Sequence, residues 1–437
     1  MIDQTLPMGA DGAGQTAETT GKYVVVFADV DANPARMLES VLGASSVANS
    51  RDFADQEADA TQAPATVFAE LGVAVVAADP DQLSALQTSP DAQGAILSIA
   101  PERIYHPLQS TGYLEGYRDA VADLAGRLGA GSNGSSAATI GGQVGVAQFP
   151  DTATASWGLQ ATRVLSSPQS GKGIKVAILD TGFETAHPDF VGRNITLASF
   201  IPGETPKDGH GHGTHCTGTA CGPKNPSGSR RYGIAYESDI FIGKVLSNSG
   251  SGSDTSVLGG MNWAIAQGCH VVSMSLGANV QPPHPPYTEV GRRALDKGTL
   301  VVAAAGNNAR RHERSWGFVG APANSPYIMA IAALEQDLSV AYFSARSSTS
   351  GTGGQRGGQV DNAGPGWQVY SSWILPQKYH TISGTSMATP HASGIAALWA
   401  QKTGLRGAAL WSVLAQESDR LYEPAVDVGG GLVLAPQ

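Results

Sequence analysis

The stretch KVAILDTGFETAHPDF (residues 175–190) opens with an almost unbroken apolar run and turns polar at Asp180. A strand with one face in water would alternate apolar and polar residues, so this run predicts a strand that is buried on both faces. Strands of this kind belong to parallel sheets that carry helices on both faces. The Asp-Thr-Gly sequence that follows predicts a turn at the carboxyl end of the strand.

The same pattern recurs along the chain in four further apolar runs: DIFIGKVL (239–246), HVVSMSLG (270–277), TLVVAAAGN (299–307) and YIMAIAAL (327–334). Helical periodicity lies between them, at 254–267 and at 288–297. This alternation predicts an α/β fold with a largely parallel sheet and helices on both faces. In such sheets the chemistry sits at the carboxyl ends of strands, and Asp180 and Asn307 fall there.

The first part of the chain has a different organisation. Residues 1–21 are small and polar, which predicts a flexible tail. Residues 22–108 predict a small split βαβ, ferredoxin-like domain, because strand-like and helix-like segments alternate at 22–30, 34–43, 73–78, 80–87 and 95–107. The acidic stretch 44–65 shows no periodicity and is interpreted as a loop.

A boundary region follows at 109–150. It contains a predicted helix with an apolar stripe at 114–128 and the Gly/Ser-rich stretch GAGSNGSSAATIGG (129–142), which predicts a flexible linker. Residues 151–437 then form the predicted α/β domain.

Composition excludes several classes of protein. The formal net charge of -10 argues against a nucleic-acid partner held by a basic patch. No apolar run of membrane-spanning length is present. The three cysteines are too few for a disulfide scaffold and are expected to be reduced. The N-terminus lacks a basic start and an apolar segment, which predicts a cytoplasmic protein if the sequence is complete and a secreted one if a signal was removed.

Four polar segments carry candidate chemistry: LDTGFETAHPDF with Asp180, DGHGHGTHCTGTACG with His212, VVAAAGNN with Asn307 and SGTSMATPHASG with Ser386. Each alone has an ordinary structural explanation as a turn, loop or helix-capping residue. Together, the four polar side chains are the groups that a nucleophilic mechanism requires. A serine hydroxyl needs a base, the base needs a carboxylate that holds its tautomer, and the tetrahedral intermediate needs hydrogen-bond donors.

These four segments resemble those of the subtilase family over residues 151 to 430, and the HGTHC sequence is similar to the proteinase K branch. The order Asp, His, Ser is that family's order, and the serine context lacks the G-x-S-x-G elbow of lipases. The resemblance implies a serine endopeptidase that works through an acyl-enzyme without a cofactor. Ser386 would be the nucleophile, His212 the base, Asp180 its orienting carboxylate and Asn307 an oxyanion donor.

His210 and His215 lie on either side of His212, so spacing alone leaves a metal site open. The resemblance places the base at His212, with His215 as a packed structural residue and His210 at the rim. Cys216 would lie beside the catalytic histidine as a small buried residue.

The resemblance also implies a peptide-binding cleft, in which the substrate adds as a strand between two segments. The expected residues are Ser249, Gly250, Ser251 and Gly252 on one side, Ser275, Leu276 and Gly277 on the other, and Gly320 at the base of the pocket for the residue before the cleaved bond. Arg310, Arg311 and Arg314 would be solvated or favour acidic groups at that rim. Asp254 stands where the family often has an aromatic residue, which puts a preference for aromatic residues four positions before the cleaved bond in doubt.

Structural calcium is common in the family, and Asp189 matches a frequent calcium ligand. The loop that would complete the site, GPKNPSGSRRYG (222–233), carries two arginines that fit poorly beside a dication. The sequence therefore leaves calcium at Asp189 as a possibility and predicts no other metal.

The domain at 22–108 resembles the inhibitory propeptide of subtilases, which implies an autoprocessed zymogen with its own propeptide as an intramolecular inhibitor. Cleavage is expected between about 106 and 152; a permanent accessory domain is the alternative. Two other functions stay open: a dedicated intracellular processing peptidase with few substrates, and a catalytically silent binding protein on the same scaffold.

Overall fold

The computed structural model describes residues 18–29, 34–42, 47–53, 63–89, 94–108, 148–348 and 357–437. The predicted helix at 114–128 and the linker at 129–142 lie outside the described residues. The predicted tail at 1–21 is described only from residue 18, and its last residues, Thr19–Gly21, already belong to the first strand, which is a correction.

The N-terminal part is an antiparallel sheet with two helices. In chain order its elements are β1 (Thr19–Phe27), α1 (Pro34–Leu42), β2 (Val47–Asn49), β3 (Ala65–Phe68), β4 (Val73–Val76), α2 (Pro80–Thr88) and β5 (Ile96–Pro107). The spatial order is β5-β1-β4-β3-β2, with antiparallel pairs throughout except for β2 and β3. This is the ferredoxin-like arrangement of two βαβ halves.

The interpretation of 44–65 as a loop was wrong where the structure describes this stretch. It contains β2 and a short 3-10 helix at Ser50–Phe53, and β3 begins at its last residue. The strand β3 has only four residues, too few to show a clear strand periodicity in the sequence. Its antiparallel pairing with β4 supplies its backbone hydrogen bonds.

The C-terminal part contains the remaining strands: β6 (Lys175–Asp180), β7 (Ile195–Ser199), β8 (Asp239–Lys244), β9 (Gly252–Ser253), β10 (Val271–Met274), β11 (Leu276–Gly277), β12 (Leu300–Ala304), β13 (Met329–Leu334), β14 (Asn362–Pro365), β15 (Val369–Ser372) and β16 (Tyr379–Ile382). Seven of them form a parallel sheet in the order β14-β13-β12-β10-β6-β8-β7. The predicted α/β class is confirmed. Two sheet strands, β7 and β14, were not predicted.

The helices of this part are α3 (Trp157–Ala161), α4 (His212–Cys221), α5 (Asp254–Ala266), α6 (Pro285–Asp296), α7 (Thr385–Thr403), α8 (Gly407–Gln416) and α9 (Ala425–Val428). Short 3-10 helices cover Val164–Ser166, Pro188–Phe190 and Arg311–Glu313. Within the described part of the chain, no helix combines the length and the apolar character needed to cross a membrane.

The parallel sheet is buried on both faces, as its apolar strands predicted. Along β6, Val176 and Ile178 enter one hydrophobic cluster, which includes Ile395 of α7. Ala177 and Leu179 enter the other, which includes Val257 of α5. This second cluster also takes in residues from one face of the N-terminal sheet, so the N-terminal sheet packs on the helix layer that covers the parallel sheet.

Polar contacts fix that packing. The Arg293 guanidinium of α6 is almost fully buried and donates to the carbonyl oxygens of Leu71 (2.5 Å), Gly72 (3.0 Å) and Phe27. The amide nitrogen of Glu70 donates to Asn262 Oδ1 of α5 at 2.8 Å. The buried Glu102 carboxylate of β5 accepts the amide of Thr255 at 2.8 Å, in the first turn of α5, where the helix dipole favours a negative charge.

Candidate active site

Asp180 is the last residue of β6 and His212 is the first residue of α4, and the fold brings these two ends together in space. Asp180 Oδ1 lies 2.7 Å from His212 Nδ1 and also accepts the amide hydrogen of Thr181 at 2.7 Å. Both side chains are buried. Burial by itself would lower the pKa of His212, but the Asp180 carboxylate outweighs it and holds that pKa well above its ordinary value. The imidazole is therefore oriented through Nδ1 and stabilised when it takes up a proton on Nε2.

Ser386 lies in the first turn of α7. Its hydroxyl donates to the carbonyl oxygen of Ser275 at 2.9 Å, and its own carbonyl accepts from the Ser275 hydroxyl at 2.8 Å. Cys216 lies between this serine and the histidine, with Sγ 3.8 Å from His212 Nδ1 and 3.6 Å from the Ser386 carbonyl oxygen. Burial raises the pKa of the Cys216 thiol, so the cysteine is a neutral packing residue at the base of the site.

Asn307 follows β12, and its side chain is held by α7. Its Oδ1 accepts from the amide and the hydroxyl of Thr385, at 2.9 and 2.8 Å. Its Nδ2 is thereby aimed at the carbonyl oxygen of Leu108, to which it donates at 2.6 Å. The amide of Ser386 donates to the same oxygen at 3.3 Å. Two donors therefore converge on one peptide carbonyl beside the serine, which is the arrangement that stabilises an oxyanion.

The chain's own segment 104–108, at the end of β5, occupies the cleft as an added strand. On one side Ile104 and Tyr105 pair antiparallel with Ser253 and Gly252 of β9. On the other side His106 and Pro107 pair antiparallel with Gly277 and Leu276 of β11. Leu108 extends this pairing, since its amide donates to the Ser275 carbonyl oxygen at 3.2 Å.

The predicted cleft residues divide by their contacts with this segment. Gly252, Ser275, Leu276 and Gly277 contact it through the backbone, and the Gly250 carbonyl oxygen lies 3.1 Å from His106 Nδ1. A Cβ on Gly277 would approach Leu108 Cδ1 to 2.7 Å, so this glycine makes room for the leucine side chain.

Three predicted cleft residues have other contacts. The hydroxyls of Ser249 and Ser251 bond with Ser247 in their own loop, at 2.7 and 3.3 Å. A Cβ on Gly320 would meet the Ala278 carbonyl oxygen of the neighbouring segment at 2.5 Å, so this glycine lets the two segments lie close together. The loop arginines are not all solvated, since Arg311 forms a 2.6 Å ion pair with the buried Asp427.

The neighbouring histidines do not join His212 in a metal site. His215 is fully buried, its Nε2 lies 3.0 Å from the Val369 carbonyl oxygen, and burial lowers its pKa to about 3. His210 is partly exposed at the rim. Among the described residues, the groups that bring three ligand atoms together are limited to Asp180, His212 and Cys216, which the geometry above already explains.

Asp189 does not fit a calcium ion, which corrects the possibility raised by the sequence. Its Oδ1 accepts the amide of Ser227 at 2.7 Å, and its Oδ2 accepts the hydroxyls of Tyr232 and Tyr379 at 2.5 and 3.1 Å. Burial and then the Asp189 carboxylate raise the pKa of both hydroxyls, so their protons stay in place. A carboxylate that accepts three hydrogens has little left for a cation that binds through six to eight oxygens.

Sequence reasoning missed two features of the site. It ended the closing strand at residue 107, where β5 ends, but it did not assign Leu108, the apolar residue that follows. It also used Asp254 only to doubt a substrate preference for an aromatic residue, and it did not assign Tyr105, which lies beside Asp254 and is fully buried. The signal for the second feature is spatial, because it depends on the N-terminal sheet and α5 coming together.

Comparison with known proteins places this site in context. A family model described as the Subtilase family matches residues 171–426. Subtilisin Savinase from Lederbergia lenta is 39% identical over 252 residues, which cover 56% of this chain and 84% of that protein. Thermitase from Thermoactinomyces vulgaris is 37% identical over 233 residues, 53% of this chain and 76% of that protein.

M-protease from Shouchella clausii (strain KSM-K16) is 39% identical over 252 residues. That match covers 56% of this chain and spans 60% of the length of M-protease. The range matched by the family model contains all four residues of the site: Asp180, His212, Asn307 and Ser386.

Proposed function

The chain belongs to the subtilase family, and we propose that it is a serine endopeptidase made as a zymogen that cleaves its own chain between Leu108 and Gln109. The observation that carries this proposal is the position of the Leu108 carbonyl oxygen. It receives hydrogen bonds from Asn307 Nδ2 and from the Ser386 amide, the two groups that would hold an oxyanion.

The reaction follows from the same contacts. The Ser386 hydroxyl turns from the Ser275 carbonyl toward His212, gives its proton to Nε2 and attacks the carbonyl carbon of Leu108. Asp180 stabilises the imidazolium that forms. The proton then passes to the leaving amine of residue 109, the Leu108 ester remains on Ser386, and water hydrolyses it in the reverse sense.

The N-terminal sheet supports the proposal that residues 22–108 act as an inhibitory propeptide. It lies on α5 and α6 through Arg293, Asn262 and Thr255, and its last strand fills the cleft between β9 and β11. A product strand held by that many contacts would remain bound after cleavage. Polypeptides would then compete with this strand for the same backbone hydrogen bonds.

The test is to express the chain and determine the new N-terminus. The wild-type protein is expected to yield a fragment that begins at Gln109, and Ser386→Ala is expected to stay at full length. Ser393→Ala is the matched control, because its hydroxyl lies in the same helix and donates to the Thr389 carbonyl of that helix, so processing should be normal.

The proposal fails if Ser386→Ala is still cut at this bond, or if the processed wild-type protein is not labelled by a fluorophosphonate. Cleavage elsewhere in 109–147 with an intact 108–109 bond would also contradict it. Digestion of a random peptide library by the processed enzyme then distinguishes a broad endopeptidase from one dedicated to few substrates.

A further inference from the structure

Tyr105 fills a pocket on the C-terminal domain that is lined by Asp254, His284 and Tyr287. All four side chains are completely buried. The ring of Tyr105 meets that of Tyr287 edge-on, with centroids 5.8 Å apart, and the centroid of the His284 ring lies 5.9 Å from that of Tyr287. Because Leu108 provides the carbonyl at the oxyanion donors, the pocket receives the side chain of the fourth residue before the cleaved bond.

The polar group of this pocket is the Asp254 carboxylate, and its two oxygens differ in their hydrogen bonding. Asp254 Oδ2 accepts the amide of Arg103 at 2.7 Å and lies 3.1 Å from His284 Nε2. Among the described residues, Asp254 Oδ1 has no partner within hydrogen-bond geometry, and neither do the hydroxyls of Tyr105 and Tyr287. Burial and then the Asp254 carboxylate raise the pKa of the Tyr105 hydroxyl well above its ordinary value. Two phenol hydroxyls and a carboxylate oxygen without such partners thus share one buried pocket.

We propose that this pocket makes the enzyme selective for tyrosine, over phenylalanine and aliphatic residues, at the fourth position before the cleaved bond. A small rotation of the phenol lets its proton reach Asp254 Oδ1. A phenylalanine would fill the same space but would leave the buried carboxylate oxygen without that donor. Sites built around a hydroxyl reject the analogue that lacks it, because the polar group left behind has been removed from water.

Asp254 is what distinguishes this pocket from an apolar one. An aromatic or aliphatic residue at 254 would favour phenylalanine and tyrosine about equally, since only ring area would be buried. This selectivity rests on the proposed peptidase activity, so the experiment measures selectivity and activity separately.

The test uses four-residue p-nitroanilide substrates based on residues 105–108. The processed enzyme is given acetyl-Tyr-His-Pro-Leu-p-nitroanilide, the same peptide with phenylalanine in place of tyrosine, and the same peptide with alanine in place of histidine. We expect the tyrosine peptide to exceed the phenylalanine peptide in kcat/KM by about tenfold to a hundredfold, the range for a hydrogen bond to a charged group. The histidine-to-alanine control should change kcat/KM by no more than about threefold, because the His106 side chain is half exposed.

Variants of the enzyme provide the second measurement. In Asp254→Leu the ratio of the tyrosine to the phenylalanine peptide should fall to about one or below. Asp296→Leu is the matched control, since this exposed carboxylate pairs with Arg292 at the end of α6 and should leave the ratio unchanged.

Equal kcat/KM for the tyrosine and phenylalanine peptides would overturn the selectivity and leave the peptidase standing. A wild-type preference that survives in Asp254→Leu would overturn the role of this carboxylate. If none of the peptides is hydrolysed and a fluorophosphonate does not label Ser386, both this inference and the proposed function fail.

Discussion

Ser386 and His212 are arranged in a resting state with the cleft filled. The serine hydroxyl donates to the Ser275 carbonyl, and His212 Nε2 has no hydrogen-bond partner in the part of the chain that the structure describes. The base is therefore oriented by Asp180 and ready, while the nucleophile's proton is held by a backbone carbonyl. Turning one hydroxyl is a small step compared with moving a loop, so the site is pre-organised for attack on the Leu108 carbonyl.

We predict at this scale that activity is lost as the pH falls. A protonated His212 cannot accept the serine proton, and Asp180 holds its pKa above the ordinary value, so kcat/KM should rise with pH through a midpoint above about 6.5. Asp180→Asn removes the group that raises this pKa. The midpoint should therefore move to lower pH, while the rate falls by about 10⁴.

The measurement is the pH profile of kcat/KM for both enzymes on one peptide substrate. Asp239→Asn, which changes the same charge at the far end of the neighbouring strand β8, should keep the wild-type profile. A profile that does not move in Asp180→Asn would contradict the assigned pairing of Asp180 with His212.

At the scale of elements, short segments are stabilised by what they contact. The two-residue strands β9 and β11 pair with β5, and the loop after β6 is closed by the buried Asp208, which accepts from the hydroxyls of Thr181 and Thr214 at 2.9 and 2.7 Å. The loop that carries Ser227 and Tyr232 is held in the same way, by hydrogen bonds to Asp189.

We predict that Asp189 stabilises this loop without calcium. Asp189→Asn should lower the free energy of unfolding by about 1–3 kcal/mol, because it leaves the buried Tyr232 hydroxyl poorly satisfied. The loss should be the same in EDTA and in excess calcium, as measured by urea denaturation of the Ser386→Ala background. A loss that is seen only with calcium present would show that Asp189 is a metal ligand after all.

At the scale of the whole molecule, two sheets are joined through one helix layer and one arginine is central to the contact. Arg293 is 4% exposed and donates to three carbonyl oxygens of the N-terminal part. Its neighbour Arg292 faces solvent and pairs with Glu289 and Asp296 on its own helix. Substituting the two adjacent arginines one at a time therefore distinguishes binding of the N-terminal part from stabilisation of α6.

We predict that Arg293→Ala releases the N-terminal fragment after cleavage, because three buried carbonyls lose their donor. The apparent affinity of the fragment for the enzyme should fall by about tenfold to a hundredfold, measured as co-elution in gel filtration and as recovery of peptidase activity. Arg292→Ala should behave like the wild-type protein. Equal retention of the fragment in both variants would contradict the role of Arg293 in holding it.

The sequence by itself determined the parallel sheet and predicted which side chains would react. Apolar runs such as 175–180 and 327–334 are long enough to be recognised, because strands that are buried on both faces cannot contain many polar residues. Asp180, His212, Asn307 and Ser386 were predicted together, since the order of the four segments and their immediate context are local properties of the chain.

Only the tertiary structure decided what lies in the cleft. The strand β3 was missed because four residues carry too little periodicity, and its hydrogen bonds come from β4. Calcium at Asp189 was rejected because its two oxygens accept hydrogen bonds from Ser227, Tyr232 and Tyr379, which are distant in sequence. The positions of Leu108 and Tyr105 at the oxyanion donors and beside Asp254 depend on two sheets packing together. Contacts between residues so far apart along the chain leave no periodic or local trace in it, and so only the folded molecule reveals them.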